Sequence, residues 1–242
     1  MFAIFTDFGW RGPYVGQLKA VLAEAAPGRP AIDLLHDGPA MDPRASAYLL
    51  EPFVRPLPEA TTVVAVVDPG VGTKRPGCAV QADGRWYVGP ANGLFEFVVR
   101  RADEWAAWEL VMPAADVAPT FHGRDVFAPA AAALAAGRRD WLGSRLQERP
   151  GADWPDDVPR VLYIDEYGNA MTGIRAATLS DEAVIEVAER RMHRGETFAD
   201  QAPGEALWYR NSSGLVEVAV NGDSAAASLG LRPGSRVRLV EP

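Results

Sequence analysis

The 242-residue chain is 48% hydrophobic, enough to bury one large core or two smaller ones. A formal net charge of −8 and a pI near 5.0 argue against a nucleic-acid or anionic-membrane partner, since both favour basic surfaces. One cysteine (Cys78), no leader-like basic start and no apolar stretch long enough for a bilayer together predict a soluble cytoplasmic protein without disulfides.

Strands and helices alternate through the first half. Phe2 to Thr6 reads as a strand, and Tyr14 to Ala25 as a helix closed by Pro27-Gly28. Ala31 to Leu35 is a second strand. Asp42-Pro43 caps a helix running to about Phe53, with proline at the first helical position. Thr62 to Val67 is a continuous apolar run, expected as the central strand. Ala79 to Gln81 and Trp86 to Val88 pair as a hairpin around Asp83-Gly84. Gly93 to Arg101 and Arg124 to Ala136 are expected to be helical. The predicted class is α/β, with a mostly parallel sheet covered by helices in residues 1–146.

The character changes after Gly137. Residues 147–160 are rich in Pro, Asp and Gly and read as a linker. In residues 161–242, short strands (Val161 to Ile164, Val184 to Val187, Leu215 to Val220, Arg236 to Val240) alternate with turn clusters, and a small β-barrel domain is expected.

Several polar side chains sit beside apolar runs. Asp7 ends the first strand, where a carboxylate can accept hydrogen bonds from both hydroxyls of a ribose; it also suits a turn or helix cap. Asp68 ends the central strand, at the sheet edge where α/β proteins bind ligands, although Asp-Pro-Gly is ordinary turn chemistry too. Read alone, Arg75 suits a solvated loop and His122 a satisfied core histidine. Together, Asp68, Arg75 and His122 supply a carboxylate, a guanidinium and an imidazole, enough to activate a water molecule. Asp7, Asp68 and His122 also permit a metal, but three histidines without HxH or HExxH spacing argue against one. The glycines match neither GxGxxG nor a P-loop. Farther along, Tyr167-Gly168-Asn169 and the stretch Asn211 to Asn221 place polar groups at strand ends, which turn formation also explains. Glu217 stands alone among aliphatics, as an outward-facing strand position would allow.

Six segments in order resemble one family. They are Thr6-Asp7-Phe8-Gly9, Val67 to Thr73, Val88-Gly89-Pro90 with Asn92-Gly93, Thr120 to Asp125, Tyr167-Gly168-Asn169, and Asn211-Ser212 through Asn221. The chain resembles the S-adenosyl-L-methionine (SAM) hydroxide adenosyltransferases, or SAM hydrolases, relatives of fluorinase and chlorinase. The resemblance implies conversion of SAM and water to adenosine and L-methionine. It also implies an α/β domain, a β-barrel domain and a homotrimer with sites between subunits; the lack of a convincing ligand cluster beside the Asp68, Arg75 and His122 set predicts no metal or other cofactor.

By this resemblance the water-activating residues are Asp68, Arg75 and His122, which the halide-using relatives lack, and Asp7 binds ribose. Asn169, Ser212 and Glu217 match contacts to the nucleoside or methionine. Asn92, Tyr167 and Asn221, inside the matching segments, complete the expected substrate-binding set. Three positions depart from the family pattern: Ala91 replaces an aspartate, Gly173 an asparagine, and Ser213 an aromatic. Competing readings are a non-catalytic SAM- or adenosine-binding protein, a metal-dependent hydrolase, and a halide transferase.

Overall fold

The computed structural model describes residues 1–112 and 117–240. It divides into two compact units, Met1–Asp153 and a second from Trp154 onward. Glu241 and Pro242, the end of the expected second domain, lie outside the described residues.

In the first unit, β1 (Phe2–Thr6), β2 (Ala31–Leu35), β3 (Thr62–Val66), β4 (Gly77–Ala82), β5 (Arg85–Pro90), β6 (Trp105–Leu110) and β7 (Leu142–Arg145) form one sheet. Their order is β2-β1-β3-β5-β4-β6-β7. The β1–β2, β1–β3 and β3–β5 pairings are parallel, whereas β4–β5, β4–β6 and β6–β7 are antiparallel. The sheet is therefore mixed, not mostly parallel. The Asp83-Gly84 turn explains the difference: both residues have positive φ (47° and 80°), which folds β5 straight back along β4 without a crossover helix. Strands β6 and β7 are not among the predicted elements, because β6 buries only two of its residues, β7 buries none, and their apolar alternation is weak.

Every residue of β1 and β3 is buried, so both faces of the sheet centre are covered. Among the described residues, four helices flank the strands: α1 (Tyr14–Ala25), α2 (Pro43–Val54), α3 (Glu96–Arg101) and α4 (Ala128–Ala135). Phe2, Ile4, Val64 and Val66 share one face by strand alternation and pack with Leu18 and Leu22 of α1 and the alanines of α4. Small side chains let α4 lie close to the sheet. As expected, Asp42 caps α2, its carboxylate accepting from Ala45 N at 2.9 Å. Helix α3 starts at Glu96, later than expected, because Asn92 Oδ1 accepts from Leu94 N and Gly93 (φ 95°) turns the chain first. A π-helical turn, Gly123–Phe127, precedes α4 where one continuous helix was expected.

The second unit contains β8 (Val158–Ile164), β9 (Ala170–Arg175), β10 (Val184–Val187), β11 (Arg190–Met192), β12 (Ala206–Arg210), β13 (Leu215–Val220) and β14 (Val237–Val240). Strand β8 begins inside the segment predicted as a linker. The strands form two antiparallel sheets, ordered β12-β13-β9-β8 and β11-β10-β14. Val161, Ile174, Ile185, Trp208, Val218 and Val237 come from both sheets into one core. Among the described residues, only single bridges, Arg160 to Arg236 and Arg194 to Trp208, run between the sheets. The expected barrel is thus two separate sheets. Strands as short as β11 and β14 leave no length for a continuous closing ladder.

Candidate active site

At the carboxyl ends of β1 and β3, Asp7, Phe8, Tyr14, Asp68, Phe121 and His122 line a cleft of about 510 Å³. The loop after β3 is held by its own hydrogen bonds. Asp68 Oδ1 accepts from Gly70 N at 3.2 Å, and Thr73 Oγ1 donates to the Gly70 carbonyl at 2.7 Å. Gly72 (φ 77°) has no room for a side chain, since a Cβ there would lie 2.6 Å from the Pro119 carbonyl oxygen. This loop returns Arg75 to Asp68, with Nη2 2.5 Å from Oδ2. Arg75 Nη1 donates to the Pro76 carbonyl, so the guanidinium is fixed at two points.

His122 borders the same cleft, with 9% of its surface exposed. Burial lowers its pKa, the positive Arg75 nearby lowers it further, and the carboxylates of Asp68 and Asp125 oppose both. Neutral imidazole is therefore the prevailing form at pH 7, able to accept a proton. Asp7 accepts from Met41 N at 2.8 Å; burial raises its pKa, with a further push from Asp68. Thus Asp7, Asp68 and His122 converge on the cleft, and Arg75 reaches it through Asp68. Asn92 does not line the cleft: its Nδ2 donates to the Val67 carbonyl at 2.9 Å, fixing the strand end that presents Asp68.

The five site residues expected in the second unit, Tyr167, Asn169, Ser212, Glu217 and Asn221, line a separate pocket of about 820 Å³. Asp165 organises one wall, accepting from Tyr167 N at 3.0 Å and from Asn169 N at 2.8 Å. Asn221 Nδ2 donates to the Gln201 carbonyl at 2.8 Å. Glu217 is 3% exposed, so it points inward, not to solvent. Its carboxylate accepts from Tyr209 Oη and, at 2.7 Å, from Asn211 Nδ2. Burial raises the Glu217 pKa; the hydrogen bonds from Tyr209 and Asn211 pull the other way. Among the described residues, no three His, Cys, Asp or Glu side chains converge as metal ligands would.

Two family models cover most of the chain: the N-terminal domain of SAM hydroxide adenosyltransferases matches residues 2–141, and the C-terminal domain matches residues 159–238. The chain belongs to the SAM hydroxide adenosyltransferase family. It is 44% identical to the (R)-S-adenosyl-L-methionine hydrolase of Thermus thermophilus, over 97% of each chain. A fluorinase of Nocardia brasiliensis is more distant, 25% identical over 98% of this chain and 95% of that one. The crystal structure of a conserved protein from Thermotoga maritima superposes with a TM-score of 0.89 at 28% identity, covering 99% of this chain and 100% of that one.

Within this family member, none of the three departures lines the cleft or the second pocket, although Ala91 N donates to the Pro76 carbonyl that also accepts from Arg75. Ala91 lies in an apolar pocket with Cys78 and Phe95, not in the cleft. Cys78 itself is a buried thiol whose pKa burial pushes up to about 12, an inert group. A Cβ on Gly173 would come within 2.9 Å of the Val158 carbonyl oxygen, so glycine permits close pairing of β8 and β9. Ser213 N donates to Asn211 Oδ1 at 3.0 Å, within the turn that presents Ser212. Sequence reasoning missed Asp165, Phe198 and Tyr209 as pocket-lining residues. Tyr209 was findable: once the Asn211–Gly214 turn sets the hairpin register, it stands opposite Glu217.

Proposed function

We infer that this chain hydrolyses (R)-S-adenosyl-L-methionine to adenosine, L-methionine and a proton, by attack of water at C5′. The observation that carries the inference is the Asp68–Arg75 ion pair at the edge of a cleft shared with Asp7 and His122. The 44% identity to a relative named for hydrolysis of the (R) epimer supports both the reaction and the epimer.

The sulfonium leaves C5′ as a neutral thioether, so no general acid is needed. What limits the reaction is the nucleophile, since free water has a pKa near 15.7. His122, kept neutral by burial and by Arg75, takes the water's proton as it attacks. A positioned base contributes about 10²- to 10⁴-fold. Asp68 orients the water; Arg75 holds Asp68 and stabilises the developing hydroxide. Asp7 accepts from the ribose hydroxyls and sets C5′ in line with the water, about 3–3.5 Å away. Asn92 acts one step back, by fixing Val67.

Asn169, Ser212, Glu217, Tyr167 and Asn221 contact the adenine and methionine ends of SAM. They belong to a different unit from the water-activating set, and the reading takes from the family resemblance a homotrimer in which two subunits complete each site. No metal or other cofactor takes part. The buried, unpaired Cys78 thiol suits a reducing cytoplasm, and no helix among the described residues is long and apolar enough to cross a membrane.

The test is product analysis with each SAM epimer, with and without chelator, and with added fluoride. Equimolar adenosine and methionine from the (R) epimer, indifferent to chelator and fluoride, is the expected result. Activity lost to chelator and restored by zinc or manganese would replace this reading with a metallohydrolase. Tight SAM binding without product would leave a binding module.

A further inference from the structure

A chain of hydrogen bonds runs from the surface through the buried His36 and Thr6, ends beside Asp7, and has no place in the chemistry above. His36, 0% exposed, lies just beyond β2. Its Nδ1 is 2.9 Å from Thr6 Oγ1 and its Nε2 is 3.0 Å from Asp33 Oδ1. Asp33 Oδ2 in turn accepts from Lys19 Nζ at 2.8 Å. At the other end, Phe8 N donates to Thr6 Oγ1 at 3.3 Å.

The donors and acceptors fit one direction only. The Asp33 carboxylate can only accept, so His36 Nε2 carries the proton and donates to it; in the neutral imidazole Nδ1 then accepts from the Thr6 hydroxyl, whose oxygen accepts from Phe8 N. Burial would push the Asp33 pKa up, but hydrogen bonds from Lys19 and His36 outweigh it and hold the carboxyl below its usual range. The chain therefore runs Phe8 N–H, Thr6 O–H, His36 N–H, Asp33 carboxylate, and the Lys19 ammonium closes it.

Its span coincides with the residues flanking Asp7. Thr6 and Phe8 are tied through their side-chain and backbone groups, and two main-chain bonds add to the clamp: Gly9 N to the His36 carbonyl at 2.6 Å and Gly38 N to the Thr6 carbonyl at 3.2 Å. Asp7 itself is held at one carboxylate oxygen by Met41 N, on the segment following β2. The Asp7 carboxylate is thus aimed by the end of β2, not by its own strand alone.

We propose that Thr6, His36 and Asp33 are positioning residues that fix the Asp7 turn, and so set how strongly the ribose hydroxyls of the substrate are recognised. This rests on Asp7 being the ribose contact. Removing one partner of a buried hydrogen bond leaves the other's donor or acceptor unsatisfied, which is costly. A turn with a missing tether can relax by the fraction of an ångström that spoils a paired hydroxyl contact.

The experiment compares adenosine with 2′,3′-dideoxyadenosine, which lacks the hydroxyls, by calorimetry on folded variants checked by thermal melting. Thr6→Val removes the hydroxyl at constant shape, Thr6→Ser restores it, and His36→Gln keeps the Asp33 contact while losing the one to Thr6. Wild-type protein is expected to prefer adenosine. Thr6→Val and His36→Gln should shrink that preference about five- to tenfold by weakening adenosine alone, and Thr6→Ser should recover it. If Asp7→Asn erases the preference while Thr6→Val and His36→Gln keep it, or weaken both ligands equally, the positioning role is wrong and the ribose assignment stands. No preference in the wild type would overturn the ribose assignment, and the positioning role with it. Should Thr6→Val fail to fold, His36→Gln against Thr6→Ser decides by the same comparison.

Discussion

Arg75 and Asp68, seven residues apart, meet across a glycine-bearing loop with 12% and 5% of their side chains exposed and 2.5 Å between Nη2 and Oδ2. A pair this buried orders both groups, and each would leave the other an uncompensated charge if removed. The carboxylate that faces the cleft is therefore immobile, and water bound to it would be held in one place.

Asp68→Asn and Arg75→Ala should each cut kcat by about 10²-fold or more while changing KM only a few-fold, because they act on water more than on bound SAM. The double variant should lose little beyond the worse single one. Steady-state kinetics with SAM checks both statements, and near-wild-type kcat in either variant would remove that residue from the mechanism.

The His122 shift fixes a pH profile. With a pKa below the ordinary 6.5, the base is lost only as pH falls beneath that lowered value, so kcat/KM should rise through mildly acidic pH and stay level through neutrality. Stability has the same sign. Between the folded and unfolded pKa values the unfolded chain binds more protons, so stability rises with pH in that window, is lost as pH falls through it, and levels off below it. In His122→Gln both slopes should flatten, as read from pH–rate curves and urea melts.

Glu217 gives the opposite slope. Its folded pKa is raised above the ordinary 4.5, so its contribution to stability falls as pH rises from there through the raised value. Glu217→Gln keeps the shape and lets its amide donate to Tyr209 Oη and accept from Asn211 Nδ2. Its stability at pH 7 should equal or exceed that of the wild type, while SAM affinity drops about tenfold. Denaturant melts beside calorimetry measure both; lower stability with unchanged affinity would make Glu217 structural.

Gly173→Ala should cost about 1–3 kcal/mol, because the new Cβ would lie 2.2 Å from Val158 Cγ1 and 2.9 Å from the Val158 carbonyl oxygen. Trimming the side chain with Val158→Ala should recover only part of the loss, since the backbone oxygen remains. Urea denaturation of the three variants decides it.

Shared sites predict complementation. Co-refolding Asp68→Ala chains with Ser212→Ala/Glu217→Ala chains should restore partial activity, since some subunit pairs carry two intact halves. A monomer in light scattering, or no recovery in hybrids shown to have mixed, would exclude shared sites.

Much of this was legible where one physical signal dominated. The uninterrupted apolar runs of β1 and β3 gave the sheet centre, and the polar residues at their carboxyl ends gave Asp7 and Asp68. Asp83-Gly84 announced a hairpin, but its consequence, an antiparallel half-sheet, depends on how β6 joins β4 and β7 joins β6, and these two strands carry little apolar alternation. Strand β9 was hidden because Gly173 interrupts it, for a packing reason visible only with Val158 opposite. In the site, Glu217 was ambiguous because its inward orientation depends on the partners Tyr209 and Asn211 from the preceding strand and turn. The Asp33–His36 pair went unread since its partner Thr6 is distant in sequence and adjacent only once β1 and β2 pair.

Single turnover of (R)-SAM in ¹⁸O-labelled water tests the central claim most directly. Attack by activated water at C5′ places one ¹⁸O in the 5′-hydroxyl of adenosine and none in methionine. Unlabelled adenosine, or label in the amino-acid product, would contradict it.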